Sequence, residues 1–146
     1  MLAQMRRDRL AWRVVLACMA AGHTIVIIPA NRHIEVRVSG QKLAESDRPI
    51  RLDETGAPAR YYIPREDVRT ELLRPTRRKT TCPFKGQASY WSALVGAELH
   101  KNLVWSYETP IPAAGQIAGL MCFYNERVEL TISEEHQQDQ TTSSRR

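Results

Sequence analysis

The length of the apolar runs constrains this chain most, because they are strand-sized and are closed by Pro or Gly before a helix could form. Thr24-Ile25-Val26-Ile27-Ile28 is β-branched and stops at Pro29. Ile34-Glu35-Val36-Arg37-Val38 alternates with period two, and Ser39-Gly40 turns it towards Leu43-Ala44-Glu45 as a hairpin. Ile50 and Leu52 mark another strand, residues 54–58 a turn cluster, and Arg60-Tyr61-Tyr62-Ile63 a returning strand. Residues 87–95 alternate again, with Tyr90 and Trp91 on opposite faces, and Gly96-Ala97 turns them towards 102–107, where Trp105 and Tyr107 share a face. A short helical turn is expected over 112–117, and a last hairpin over 120–124 and 128–132 around Asn125-Glu126. One principal helix is expected over 64–74. Pro64 suits its first position, Glu66 and Asp67 its positive end, Val68, Leu72 and Leu73 its apolar stripe, and Pro75 its stop. The fold class is mainly β, a β-rich α+β domain with one principal helix.

At 146 residues, 42% hydrophobic and 25% charged, the chain has the size and composition of one soluble domain with ends to spare. The domain is expected over residues 22–132. Residues 1–21 are Arg-rich, with Asp8 their single acid, and are expected to be an extension outside the domain or a targeting segment. Arg13 interrupts their apolar run, which falls short of the roughly 20 residues of a membrane span. Residues 133–146 are polar and are expected to be a disordered tail.

The formal net charge of +5 is concentrated rather than spread. Residues 60–85 carry eight basic side chains against three acidic ones, which accounts for all of it. Such a field attracts phosphates, carboxylates or nucleic acid, or simply solvates one face. Cys18, Cys82 and Cys122 are odd in number and far apart. They form neither a zinc spacing nor a disulfide framework, so no metal site is expected and a reducing, cytoplasmic setting is. Cys122, inside Leu120-Met121-Cys122-Phe123, reads as a small core residue.

The chemistry concentrates in residues 80–91, Thr-Thr-Cys-Pro-Phe-Lys-Gly-Gln-Ala-Ser-Tyr-Trp, directly after the basic run 74–79. Lys85 beside Gly86 offers a point charge next to backbone that a ligand can approach closely. Its alternative is a solvated turn lysine. Cys82, held extended by Pro83, is a weak catalytic candidate as a thiolate near Lys85 and Arg77-Arg78-Lys79, and otherwise a loop anchor. Glu108, at a strand end before Thr109-Pro110, is the other weak catalytic candidate; Glu66 and Asp67 read as helix-end and ion-pair residues. His100 has no spacing that joins it to Cys82. Tyr62, Tyr90, Trp105 and Tyr107 are core residues of which at least one is expected to line a cavity. There is no G-x-x-x-x-G-K-[ST] and no Gly-Ser pair followed by paired Asp, and no motif implies a cofactor.

Residues 61–68, Tyr-Tyr-Ile-Pro-Arg-Glu-Asp-Val, residues 81–91, the run Val104-Trp105-Ser106-Tyr107-Glu108-Thr109-Pro110, Ile117-Ala118-Gly119 and Phe123-Tyr124 together resemble the domain-of-unknown-function family 427, also labelled nucleotidyltransferase-like. The likeness runs from about His23 to Ile132. It implies a compact domain of two small antiparallel sheets, and the label implies a phosphate-containing ligand. Two functions are then open. One is a small anionic, nucleotide-like ligand held by Lys85, Gly86, Arg65, Tyr62, Tyr90, Trp105 and Tyr107. The other is a non-enzymatic module whose basic face contacts nucleic acid or an acidic protein. A thiol enzyme or redox sensor built on Cys82 is a third.

Overall fold

The computed structural model describes residues 14–17 and 22–134; most of the expected N-terminal extension and the tail beyond 134 lie outside the described residues. Among the described residues eleven strands build two antiparallel sheets. They are β1 (Val14–Ala17), β2 (Thr24–Pro29), β3 (Ile34–Val38), β4 (Gln41–Ser46), β5 (Ile50–Glu54), β6 (Arg60–Ile63), β7 (Leu73–Cys82), β8 (Gly86–Val95), β9 (Glu98–Ser106), β10 (Met121–Phe123) and β11 (Glu129–Ile132). The large sheet runs β1-β2-β5-β6-β10-β9-β8-β7 and the small one β11-β3-β4. The mainly β class and the two antiparallel sheets are therefore as the sequence implies. Among the described residues no helix is long and apolar enough to cross a membrane.

Side-chain alternation gives the large sheet two buried faces. Tyr61 and Ile63 of β6, with Ala93 of β8, face the small sheet's Ile34, Val36, Val38 and Leu43. Tyr62, Tyr90, Trp105 and Cys122 lie on the other face with Ile25, Ile27 and Leu52. That second face is capped by the connection after β9, whose Tyr107, Ala114 and Ile117 pack into it. The turn expected over 112–117 is there as a 3-10 helix. The β3–β4 hairpin is also as expected.

Two expected elements differ. The helix over 64–74 is present only as 3-10 turns at Arg65–Asp67 and Thr70–Leu72, and from Leu73 onward the chain is strand β7. Between the turns Val68 bridges Ala44, and the Arg69 amide donates to the Leu43 carbonyl at 2.8 Å. The backbone thus satisfies the open edge of β4 rather than its own i−4 carbonyls. The last hairpin is absent as well. β10 inserts between β6 and β9 in the large sheet, whereas β11 crosses over to pair with β3. The 3-10 turn Asn125–Arg127 makes that crossover, and Asn125 Nδ2 holds it by donating to the Ala59 carbonyl at 2.7 Å.

Candidate functional site

The large sheet is strongly curled, and the curl assembles the site. Glu54 ends β5, and Lys85 sits in the turn between β7 and β8, with β6, β10 and β9 lying between. In a flat sheet four strand spacings would hold β5 and β8 about 19 Å apart. Instead Lys85 Nζ donates to Glu54 Oε2 at 2.8 Å. The second buried face is therefore the inside of a cup, and this ion pair ties two distant parts of its rim. His23 Nε2 bonds Glu54 Oε1 at 3.0 Å, and its ring stacks on Phe84 at 4.7 Å.

Tyr62, Tyr90, Trp105 and Tyr107 converge inside this cup from β6, β8, β9 and the chain just beyond β9. Register explains the first three: Tyr90 pairs with Trp105, Trp105 with Cys122, and Cys122 with Tyr62, so one row crosses four strands. Trp105 Nε1 donates to the Tyr62 hydroxyl at 3.1 Å, and the two rings meet edge-on at 6.4 Å. Tyr90 Oη shares a 2.8 Å hydrogen bond with Thr80 Oγ1. Burial pushes the Tyr62 and Tyr107 phenols well up and does the same to the Cys122 thiol, so all three are neutral at physiological pH.

Lys85 is 8% exposed, and its ammonium lies 5.6 Å from the centre of the Tyr107 ring. An ammonium has three donors. Glu54 is the one hydrogen-bond acceptor that Lys85 Nζ meets among the described residues. The Tyr107 hydroxyl makes no hydrogen bond with any described residue. Burial works to raise the Glu54 carboxyl, but the hydrogen bonds and charges of Lys85 and His23 outweigh it and hold the group below its ordinary value. Glu54 is therefore an anion that keeps a cation at the rim of an aromatic cup.

Other residues singled out in the sequence do different work. Gly86 has φ +117°, and a Cβ there would meet Pro110 Cα at 3.3 Å; its openness admits the chain's own 110–111 backbone, whose Ile111 amide donates to the Lys85 carbonyl at 2.9 Å. Arg65 lies outside the cup. It donates to Glu108 Oε1 at 3.1 Å and to the Gly119 carbonyl at 3.3 Å, and it covers the Trp91 ring at 5.2 Å. Glu108 is thereby an ion-pair partner. Glu66 binds Arg48 at 2.9 Å, and Asp67 accepts from Ser46 Oγ at 2.7 Å. Cys82 is half-buried against the aromatic face. His100 pairs with Ala93 and Cys82 with Gly86, so roughly 23 Å of β8 separates them and no cysteine–histidine couple forms.

Charge is distributed unevenly around these groups. Arg37, Lys42, Arg48, Arg60, Arg69 and Lys85 each bind a carboxylate. A depression of about 430 Å³ lined by His33, Glu45, Asp47, Arg48 and Asp67 is likewise polar, but its charges pair internally: His33 bonds Asp47 at 2.6 Å and Glu45 at 2.9 Å. Among the described residues no group of three or more His, Cys, Asp or Glu side chains could hold a metal ion.

Sequence reasoning named the four ring residues and Lys85 but missed Glu54 and His23. Glu54 opens the 54–58 turn cluster of the sequence, and no local signal joins it to Lys85, 31 residues away. No curated protein matches the chain. The family model described as domain of unknown function (DUF427) matches residues 26–134, a span that includes the cup's strands from Val26 to β10, the Lys85 turn and the capping connection. The chain belongs to that family of unknown function.

Proposed function

We propose that the protein binds a small anionic ligand that combines a negative group with a flat ring, as a nucleotide does, at the Lys85 rim of the aromatic cup. One observation carries this reading: Lys85 and Tyr107, side by side in largely buried surroundings, keep hydrogen-bond donors that no described residue uses. Donors held in a site of low water content interact with an anion far more strongly than they would in bulk solvent. Glu54 and His23 fix the ammonium in place, which lowers the ordering cost of binding. Phe84, stacked on His23, and the half-buried Tyr124, 4.6 Å from Trp105, are the rings nearest solvent. The reading is of a binding site, and no bond-making step is assigned to it.

A thermal-shift screen against nucleotides and small anionic metabolites tests it, because a ligand that binds only the folded state raises stability. The expected hit stabilises the wild type and stabilises Tyr107→Phe less. A hit that stabilises both equally binds elsewhere.

A further inference from the structure

We infer that the protein carries a second surface, distinct from the Lys85 rim and adjoining the cup on its Tyr90 side, that binds the phosphate backbone of a nucleic acid without reading its bases. The surface is built by two aligned bulges. In β7, residues 76, 77 and 78 face the single residue Tyr90 between the pairs Pro75–Trp91 and Lys79–Ser89. In β9, residues 101, 102 and 103 face the single residue Ser92 between Trp91–Val104 and Ala93–His100. Such bulges re-aim side chains at sheet edges. Thr76 Oγ1 locks the two together by donating to Asn102 Oδ1 at 2.6 Å, and the Asn102 amide donates to Ser92 Oγ at 3.0 Å. Asn102 adopts φ 50° to make this fit. Arg127 is drawn to the same place, donating to the Asn102 carbonyl at 3.4 Å.

Arg77, Arg78 and Lys79 thus lie along the β7 edge, Lys101 adjoins Asn102 in β9 and Arg127 reaches the Asn102 carbonyl, and none of the five forms an ion pair with a carboxylate among the described residues. Their contacts are with neutral groups: Arg78 lies 4.8 Å over the Tyr90 ring, and Lys79 donates to Ser89 Oγ at 2.7 Å. Elsewhere among the described residues the arginines and lysines are mostly ion-paired, so this stretch keeps more of its positive field, offset in part by Glu126 beside Arg127. An added β-strand is a poor occupant for the edge, because Pro75 offers no N–H and the bulge interrupts the ladder. Tyr90 and Trp105 lie under Arg78 and Arg60, and the half-buried Tyr124 lies under Arg60 and Arg127, so guanidinium groups cover the rings that border this surface. A row of guanidinium and ammonium groups that cover the neighbouring rings fits phosphates better than stacked bases.

Arg77 and Lys101 are exposed and make no side-chain hydrogen bond, ion pair or ring contact with a described residue, so replacing them is expected to leave the fold intact. Binding of the full chain to a short fluorescent single-stranded oligonucleotide is measured across a salt series for wild type, Arg77→Ala/Lys101→Ala and the charge-matched control Lys42→Ala/Arg48→Ala. The expected result is binding that weakens steeply with salt. The bulge double variant is expected to bind roughly tenfold more weakly, with a log–log salt slope shallower by about 1.4, while the control matches wild type. An abasic oligonucleotide is expected to bind as tightly as a mixed sequence. Equal effects of the two double variants, absence of a salt slope, a much weaker abasic strand, or equally tight binding of an acidic peptide would each overturn the inference.

Discussion

Lys85 Nζ and Glu54 Oε2 meet at 2.8 Å although three strands of one sheet lie between the elements that carry them. The contact records how far the large sheet curls, and it places a cation at the rim of the cup that the curl creates. Both side chains are mostly shielded, with 11% and 18% of their surface exposed. Removing one partner leaves the other charge poorly solvated. Glu54→Ala is expected to cost about 1–3 kcal/mol in a urea unfolding experiment. Because the folded pKa of Glu54 is lowered, its contribution is present above the ordinary carboxylate range and is lost as pH falls through the lower folded value. The gap between wild type and variant should therefore close in acid.

Gly86 answers to the chain itself rather than to a ligand. With φ +117° and the Pro110 Cα 3.3 Å from where a Cβ would stand, Gly86→Ala combines backbone strain with a backbone clash. A loss of about 1–3 kcal/mol is expected in thermal unfolding. The control Gly96→Ala, with φ 60° and nothing near the added Cβ, should lose less.

Tyr62→Phe removes the acceptor for the buried Trp105 Nε1–H without changing ring packing. Leaving that donor unpaired is expected to cost about 1–3 kcal/mol. The double variant Tyr62→Phe/Trp105→Phe should show non-additive losses, since the two residues share one interaction.

His33 is raised above its usual pKa by hydrogen bonds to Asp47 first and Glu45 second. A histidine whose folded pKa is raised contributes stability below the ordinary value of about 6.5 and loses it as pH rises through the folded value. An NMR titration of its ring should find a midpoint above 6.5, and Asp47→Asn should bring that midpoint down.

Cys82 is half-buried at the end of β7, whereas Cys122 is fully enclosed and its thiol is pushed up by burial. Brief labelling of the native chain, read by peptide mass spectrometry, should modify Cys82 and spare Cys122 until denaturant is added.

Most strands were legible because one apolar face per strand imposes period two, as at Ile34–Val38 and 87–95. β7 was not, because an edge strand with Arg74, Arg77, Arg78 and Lys79 on its surface carries no apolar alternation, and Pro75 reads as a stop. The helix signal over 64–74 was local and real, yet the open edge of β4 offered its backbone a better partner. Pairing choice explains the lost final hairpin: the two runs alternate as strands should, and nothing within them says that they belong to different sheets. The ring residues of the site could be named from the sequence because large aromatics cluster. Glu54 could not, since 31 residues and a sheet's curl separate it from Lys85.

The most direct test of the cup is an NMR titration of the full chain with a panel of nucleoside monophosphates. Binding at the proposed site perturbs the Lys85, Gly86 and Tyr107 amides and the Trp105 indole together, and Tyr107→Phe weakens the response. If every member of the panel leaves those signals unmoved, or shifts only the β7 and β9 bulges, the cup is a packed core and the account of its function is wrong.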